Sequence, residues 1–407
     1  MTAFSNILSP ISADLFFSDY YERKPLYIPR NGENKFVNLP GIDGFEELLW
    51  RHESKLKRIL RVNHRGNYKQ IPHHASGKDA FRWAIDSFGD GCTLILNGTD
   101  HLSKEVAEIA RSIEEETNSK VAANAFLTPA NSRGFLPHFD THDVFIMQLE
   151  GEKHWHLYDQ RENLPLDRQI YLIDQETVKD PSYKYVLSPG DLLYVPRGML
   201  HGPFTKSQSS LHITMGYRPL RWRDYLIAMV DVIAESEPRL RESIRPSDNS
   251  PNSDDVEKIF SLLSLKSKSP YIQKLSLERV REKFVSQLRT LPGGHIRNLE
   301  ASSMVNMDTK LLKRKGCVCN ITETRETVRL QFPGIGLSSS DDLHPGCIEA
   351  PIMAGGAIRF IAGSDDVFTA KDLPGILTID SKIDLLKKLV REGLLVVIER
   401  NVSQSCM

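Results

Sequence analysis

The chain has 407 residues, enough for two or three domains. At 40% hydrophobic and 26% charged it has an ordinary globular composition, which excludes a mostly disordered chain, a collagen-like repeat and a disulfide miniprotein. Lys and Arg number 52 against 53 Asp and Glu, so no global charge draws the chain to nucleic acid or an anionic membrane, and neither partner is expected. The cysteines Cys92, Cys317, Cys319, Cys347 and Cys406 are scattered and odd in number, which argues against a disulfide framework. Cys317 and Cys319 form a C-x-C without a second pair at zinc-ribbon spacing and read as structural. No basic-then-apolar leader opens the sequence, and no apolar run reaches membrane-spanning length. A reduced, soluble, cytoplasmic protein is expected.

Residues 1–120 read as mixed and helix-rich. Phe45 to Leu60 and Leu102 to Ile113 carry apolar residues at helical spacing, while KPLYIPR (24–30) and CTLILNG (92–98) read as short strands. From about 121 to 218 the texture changes to short runs separated by Gly, Pro and Asp: VAANAFLTP, DVFIMQLEG, KHWHLYD, YKYVLSPGDLLYVP and SLHITMGYRP. Close-spaced short strands predict an antiparallel sandwich or barrel. Residues 221 to about 290 turn helical, in RWRDYLIAMVDVIAES and SLERVREKFVSQLRTL, with a polar loop over 237–257 between them. The last hundred residues mix predicted strands (RETVRLQF, GAIRFIAG, GLLVVIE) with a helix from a Ser381 cap to Gly393, the ending of a winged-helix unit. That last helix and strand balance Lys and Arg against Asp and Glu, whereas a groove-reading helix needs a basic face, so a structural role is expected.

The chemistry concentrates in the strand-rich block. His138 and Asp140 are spaced H-x-D, and side chains two apart on a strand share a face, so both can reach one metal. Downstream, a Pro-Gly-Asp turn at 189–191, a strand, a Pro-Arg-Gly turn and His201 can return a third ligand. Two His and one carboxylate on one face of an octahedron suit non-haem Fe(II) with open positions for O2 and a co-substrate. If the co-substrate is 2-oxoglutarate, its far carboxylate needs a cation. Lys153, in phase with Trp155 and Leu157, is the candidate. His154 and His156 form a rival H-x-H, but the next acid, Asp159, is out of phase with them. His142 reads as a neighbour of the metal rather than a ligand. Asn124, which shares a face with Phe126, and Thr214, which shares one with His212 and Gly216, read as pocket-lining. No G-x-S-x-G elbow, phosphate loop or strand-linked G-x-G-x-x-G is present.

NAFLTPANSRGFLPHFDTHDVFIMQLEGEKHWHLYD, with PGDLLYVPRGMLHG and SLHITMGY, resembles the JmjC-type cupin oxygenases called ribosomal oxygenases. The close match covers about 121–218, with weaker similarity in FFSDYYERKPLYIPR and in FTAKDLPGILTIDSKIDLLKKLVREGLL. The resemblance implies an α+β chain: a JmjC cupin domain over 1–220 built on a double-stranded β-helix, a helical dimerisation region over 221–292, and a winged-helix-like domain over 293–407. It implies Fe(II) on His138, Asp140 and His201, 2-oxoglutarate paired to Lys153 and lined by Asn124, and O2 as oxidant. Relatives often have Tyr where Phe126 stands, and some have Ser where Gly216 stands. Family members hydroxylate an Arg or His side chain of a ribosomal protein, and a homodimer is implied. A related oxygenase acting on a small molecule or peptide, and an idle dimeric cupin scaffold, are the alternatives.

Overall fold

A computed structural model of the protein describes residues 3–160, 162–169, 173–244, 252–335 and 346–398. Cys406 lies outside them. The chain divides into two compact units, 1–219 and 220–407.

In the first unit the short runs between turn residues become strands: β1 (Leu26–Ile28), β2 (Leu60–His64), β3 (Asn67–Lys69), β4 (Thr93–Asn97), β5 (Val121–Thr128), β6 (Asp143–Glu150), β7 (Lys153–Gln160), β8 (Tyr183–Leu187), β9 (Leu192–Val195), β10 (Met199–Phe204) and β11 (Ser210–Tyr217). One sheet runs β1-β9-β6-β11-β5-β4-β2-β3 and a second β10-β7-β8, with antiparallel pairing. Alternation along β6 shows how they stack. Val144 and Ile146 pack with Trp155 and Leu157 of β7, while Phe145 and Met147 pack on the opposite face with Phe4, Phe16 and Ile113. Both faces of β6 are therefore buried, which is why its sequence is a nearly unbroken apolar run.

Helical periodicity holds for Ile42–Arg51 and Lys104–Thr117. The helix predicted to reach Leu60 instead ends at Arg51, and Leu60 opens β2, where it pairs with Leu96. The Pro-Gly-Asp turn is a clamp. The Asp191 carboxylate accepts from Ser188 N (2.9 Å), Arg30 N (2.7 Å) and the Tyr27 hydroxyl (2.9 Å), which ties β1 beside β9. Gly190 takes φ +95°, and a Cβ there would meet the Glu33 carbonyl oxygen at 2.3 Å.

The second unit opens with helices Trp222–Ser236, Ser253–Ser267 and Pro270–Gln287. The predicted loop over 237–257 is therefore partly wrong. Asn252 caps a helix there, accepting from Asp254 N at 3.1 Å, and Asp254 and Asp255 occupy the favourable first turn. Residues 245–251 of that loop lie outside the described ones. Helices His295–Ser302, Gly355–Gly363 and Ile379–Arg391 follow, with a two-stranded sheet of Leu311–Lys313 and Leu395–Val397 and a three-stranded sheet of Asn320–Glu323, Thr327–Gln331 and Cys347–Pro351. GAIRFIAG, expected as a strand, is the helix Gly355–Gly363: Ala357, Ile358 and Ile361 fill this unit's core from one helical side. The last helix is capped by Thr378, whose hydroxyl accepts from Ser381 N, one turn before the expected cap.

Candidate metal centre

The H-x-D segment is not a regular strand. His138 sits in an isolated bridge with His201, and Asp140 follows in irregular backbone. His201 lies within β10, at a register shift against β7. His138 N donates to the His201 carbonyl (3.0 Å) and His201 N to the His138 carbonyl (2.8 Å). This backbone exchange brings the two stretches together: one ligand atom from each of His138, Asp140 and His201 lies within 4.8 Å of the others. Among the described residues this is the cluster able to hold a metal.

The donors are oriented. His138 Nδ1 faces the Leu136 carbonyl at 2.9 Å and His201 Nδ1 faces the Met199 carbonyl at 3.0 Å. A carbonyl only accepts, so each Nδ1 carries its proton and each Nε2 lone pair is left for a metal. His201 Nε2 lies 3.7 Å from Asp140 Oδ2. Burial, with the neighbouring His138 adding to it, pushes the His201 imidazole down to about 4, so it is neutral at pH 7. Burial alone would raise the Asp140 carboxyl, but His142, His201, His138 and Arg218 outweigh it and hold it below its usual range. An anionic Asp140 oxygen and a neutral His201 imidazole are protonation states that metal binding needs.

Asp140 is positioned from behind. Its carbonyl accepts from Gly198 N at 2.8 Å, and Gly198 belongs to the Pro-Arg-Gly turn. Arg197 anchors that turn by donating to Asp143 Oδ2 at 2.8 Å and to Glu22 Oε1 at 2.5 Å. The Tyr194 hydroxyl donates to Asp143 Oδ1 at 2.7 Å and accepts from Glu22 N at 2.9 Å. This buried network has no sequence signature, because its members come from three distant stretches.

Lys153 is 2% exposed and donates from Nζ to Thr128 Oγ1 at 2.7 Å, with no ion-pair partner among the described residues. Burial drives its ammonium down to about 7. Contacts lead from it to the metal ligands. Thr128 shares a face of β5 with Phe126, which stacks on His212 at 4.9 Å. His212 lies 5.5 Å from Trp155, and Trp155 lies 5.9 Å from His201. Trp155 Nε1 and His212 Nδ1 are buried without a partner among the described residues. Asn124 and Thr214 are half-buried and face each other across β5 and β11, on the faces that carry Phe126 and His212. Asn124 Oδ1 also accepts from Gly98 N at 3.1 Å. Sequence reasoning missed Thr128 and left His212 without a role; phase with Asn124 and Thr214 was the available signal.

His142 packs over Gly216: a Cβ at 216 would lie 2.6 Å from His142 Cδ2. The rival pair stands apart. His154 stacks on Phe204 at 5.1 Å and His156 meets the same ring edge-on at 5.0 Å, on the side of β7 away from Lys153.

An all-antiparallel two-sheet barrel with a two-His, one-carboxylate cluster between distant strands defines a cupin-type domain. Residues 99–225 match the JmjC domain family. It is 32% identical over 227 residues to the bifunctional lysine-specific demethylase and histidyl-hydroxylase NO66 of Dictyostelium discoideum, covering 54% of this chain and 44% of that protein. It is 30% identical over 252 residues to ribosomal oxygenase 1 of Danio rerio, covering 59% of this chain and 46% of that one. The chain thus spans less than half the length of these relatives. The structure of YcfD, a ribosomal oxygenase from Escherichia coli, in complex with cobalt and 2-oxoglutarate, superposes with a TM-score of 0.57 at 16% identity, covering 96% of this chain and 99% of that one. That likeness extends the shared fold across both units. No described helix is long and apolar enough to cross a membrane.

Proposed function

We propose that this chain is an Fe(II)- and 2-oxoglutarate-dependent oxygenase that hydroxylates an Arg or His side chain of a ribosomal protein. The observation that carries the reading is Lys153, a buried cation without a carboxylate, reached through Phe126, His212 and Trp155 from a two-His, one-Asp cluster. Lysine is almost never buried unpaired unless a site needs it, and a co-substrate carboxylate is the missing partner. His138, Asp140 and His201 would hold the iron through three donors, leaving the rest of its coordination open. Bound iron with 2-oxoglutarate and O2 supplies the oxidant for a C–H bond. The chain's own residues fix the donor tautomers through Leu136 and Met199, pair the far carboxylate at Lys153, and exclude water with the buried Trp155 and Leu157. The partnerless Trp155 Nε1 and His212 Nδ1 favour a polar guest between Lys153 and the iron. The ribosomal target is taken from the names of the relatives.

The region 221–292 would be a dimerisation segment and 293–407 a winged-helix-like domain of cytoplasmic homodimers. Support for the dimer is the exposed stripe Trp222, Leu226 and Val230 on one helix. The decisive experiment is incubation of the purified protein with iron, 2-oxoglutarate and ribosomal proteins, followed by mass spectrometry. One added oxygen on a single Arg or His, coupled to succinate release, is expected. Succinate without any protein product would favour a small-molecule substrate, and neither product would leave an idle scaffold.

A further inference from the structure

The hairpin of β2 and β3 carries a feature that the iron chemistry does not use. From Ser54 through Lys78 the sequence holds seven Lys and Arg and no Asp or Glu. In a chain of net charge -1 that is a strong local field. The overall balance and the last helix gave no reason to expect a nucleic-acid partner, but neither describes this patch.

The charge is arranged around a space. Lys57, Arg61, Tyr68, Lys69 and His73 line a cavity of about 470 Å³. Lys57, Arg61 and Lys69 are exposed, and none has an ion-pair partner among the described residues. Lys57 Nζ donates to the His73 carbonyl at 2.7 Å, and Arg61 Nη1 reaches the Leu60 carbonyl at 3.2 Å. Those contacts orient the cations without neutralising them. Tyr68 is 61% exposed in the same lining, a large ring left in water. It stands between the groove and the metal site: its ring is 6.1 Å from Phe135, which is 5.2 Å from His138. The loop leading to His138 is fixed to this hairpin, since Arg65 N donates to the Arg133 carbonyl at 3.2 Å and Gly66 N to the Gly134 carbonyl at 2.9 Å.

We propose that this groove binds a single-stranded RNA segment, with phosphates on Lys57, Arg61 and Lys69 and a base stacked on Tyr68, beside the entrance to the metal site. Spaced cations with an exposed ring are the parts list of a single-strand groove. An acidic peptide would use the cations and leave the ring unexplained. The choice of RNA over DNA rests on the proposed ribosomal target; the cation and ring geometry does not.

The test is fluorescence anisotropy of the full chain with a labelled uridine oligoribonucleotide of about ten residues, set against the matching DNA and an oligoglutamate peptide of similar length. RNA should bind most tightly, with a log–log salt slope of about -2, roughly 0.7 for each of three phosphates. Lys57→Glu with Arg61→Glu and Lys69→Glu should weaken binding by about 100-fold or more, and Tyr68→Ala by about tenfold. The milder Lys69→Gln, on an exposed edge strand, should lower the slope by about 0.7 while the melting curve stays unchanged. Absent RNA binding, binding indifferent to these substitutions, or equal binding of DNA or oligoglutamate would each overturn the proposal. The assay needs neither iron nor 2-oxoglutarate. RNA binding without hydroxylation of any ribosomal protein would therefore count against the proposed reaction and leave the groove standing.

Discussion

His138 and His201 exchange both backbone hydrogen bonds, at 3.0 and 2.8 Å, so the two imidazoles are set side by side by main chain rather than by a metal. Their rings lie 4.4 Å apart. The site is therefore preorganised, and truncating a ligand should remove metal binding without removing the fold. Groups that merely orient a metal's ligands contribute roughly 10–100-fold to affinity or activity. His138→Ala or Asp140→Ala should then lose more than about 100-fold in succinate formation, with iron content falling in parallel and the circular dichroism unchanged. Wild-type iron content in either variant would remove that residue from the site.

Lys153 makes the site pH-sensitive in a defined direction. Unfolded, its ammonium holds its proton up to 10.5, while burial in the fold lowers that to about 7. Between these values the unfolded chain binds more protons, so stability of the ligand-free protein should rise with pH across about 7 to 10.5 and be lowest below that window. A carboxylate bound at Nζ restores the charged form. Affinity for 2-oxoglutarate should therefore fall above about pH 7, approaching tenfold per pH unit, with proton uptake on binding. Calorimetry in buffers of different ionisation enthalpy reads the uptake. Lys153→Ala should raise the 2-oxoglutarate requirement more than it lowers iron content and should abolish the uptake. A pH-independent affinity would separate Lys153 from the co-substrate.

Strand periodicity made much of this site readable. Residues two apart share a side, which put Lys153 with Trp155 and Leu157, and Asn124 with Phe126. Thr128 escaped because it is a small polar residue at the end of an apolar strand, and its partner Lys153 lies on a strand of the other sheet. His212 gained meaning only through register, which sets it against Phe126. GAIRFIAG misled because a short apolar run with two isoleucines suits a buried strand or a buried helix equally well, and packing of Ile358 and Ile361 into the second core decided it. The basic hairpin was hidden by the balance of the whole chain, which averages a local excess away.

Gly216 is held small by its neighbour. A Cβ there would lie 2.6 Å from Cδ2 and 2.7 Å from Nε2 of His142. Gly216→Ala should cost about 1–3 kcal/mol or expel the His142 ring. His142→Ala in the same chain removes the clash, so the two substitutions should be non-additive by more than about 0.5 kcal/mol in urea unfolding. Additive effects would mean the ring moves aside freely.

The helix Trp222–Ser236 carries apolar side chains that its own unit buries and others that it leaves exposed. Met229, Val232 and Ile233 are buried, whereas Trp222, Leu226 and Val230, spaced one turn apart, are 79%, 52% and 40% exposed. Three large side chains in one stripe, each burying surface worth about 1.5–3 kcal/mol when fully covered, favour a second copy of the chain as their cover. Leu226→Glu with Val230→Glu should convert a dimer to a monomer in sedimentation equilibrium. Because the stripe is solvent-facing within one chain, the melting temperature at high dilution should change little. A wild-type chain that sediments as a monomer at micromolar concentration would remove the dimer. An unfolded double variant would instead show that these side chains support their own unit.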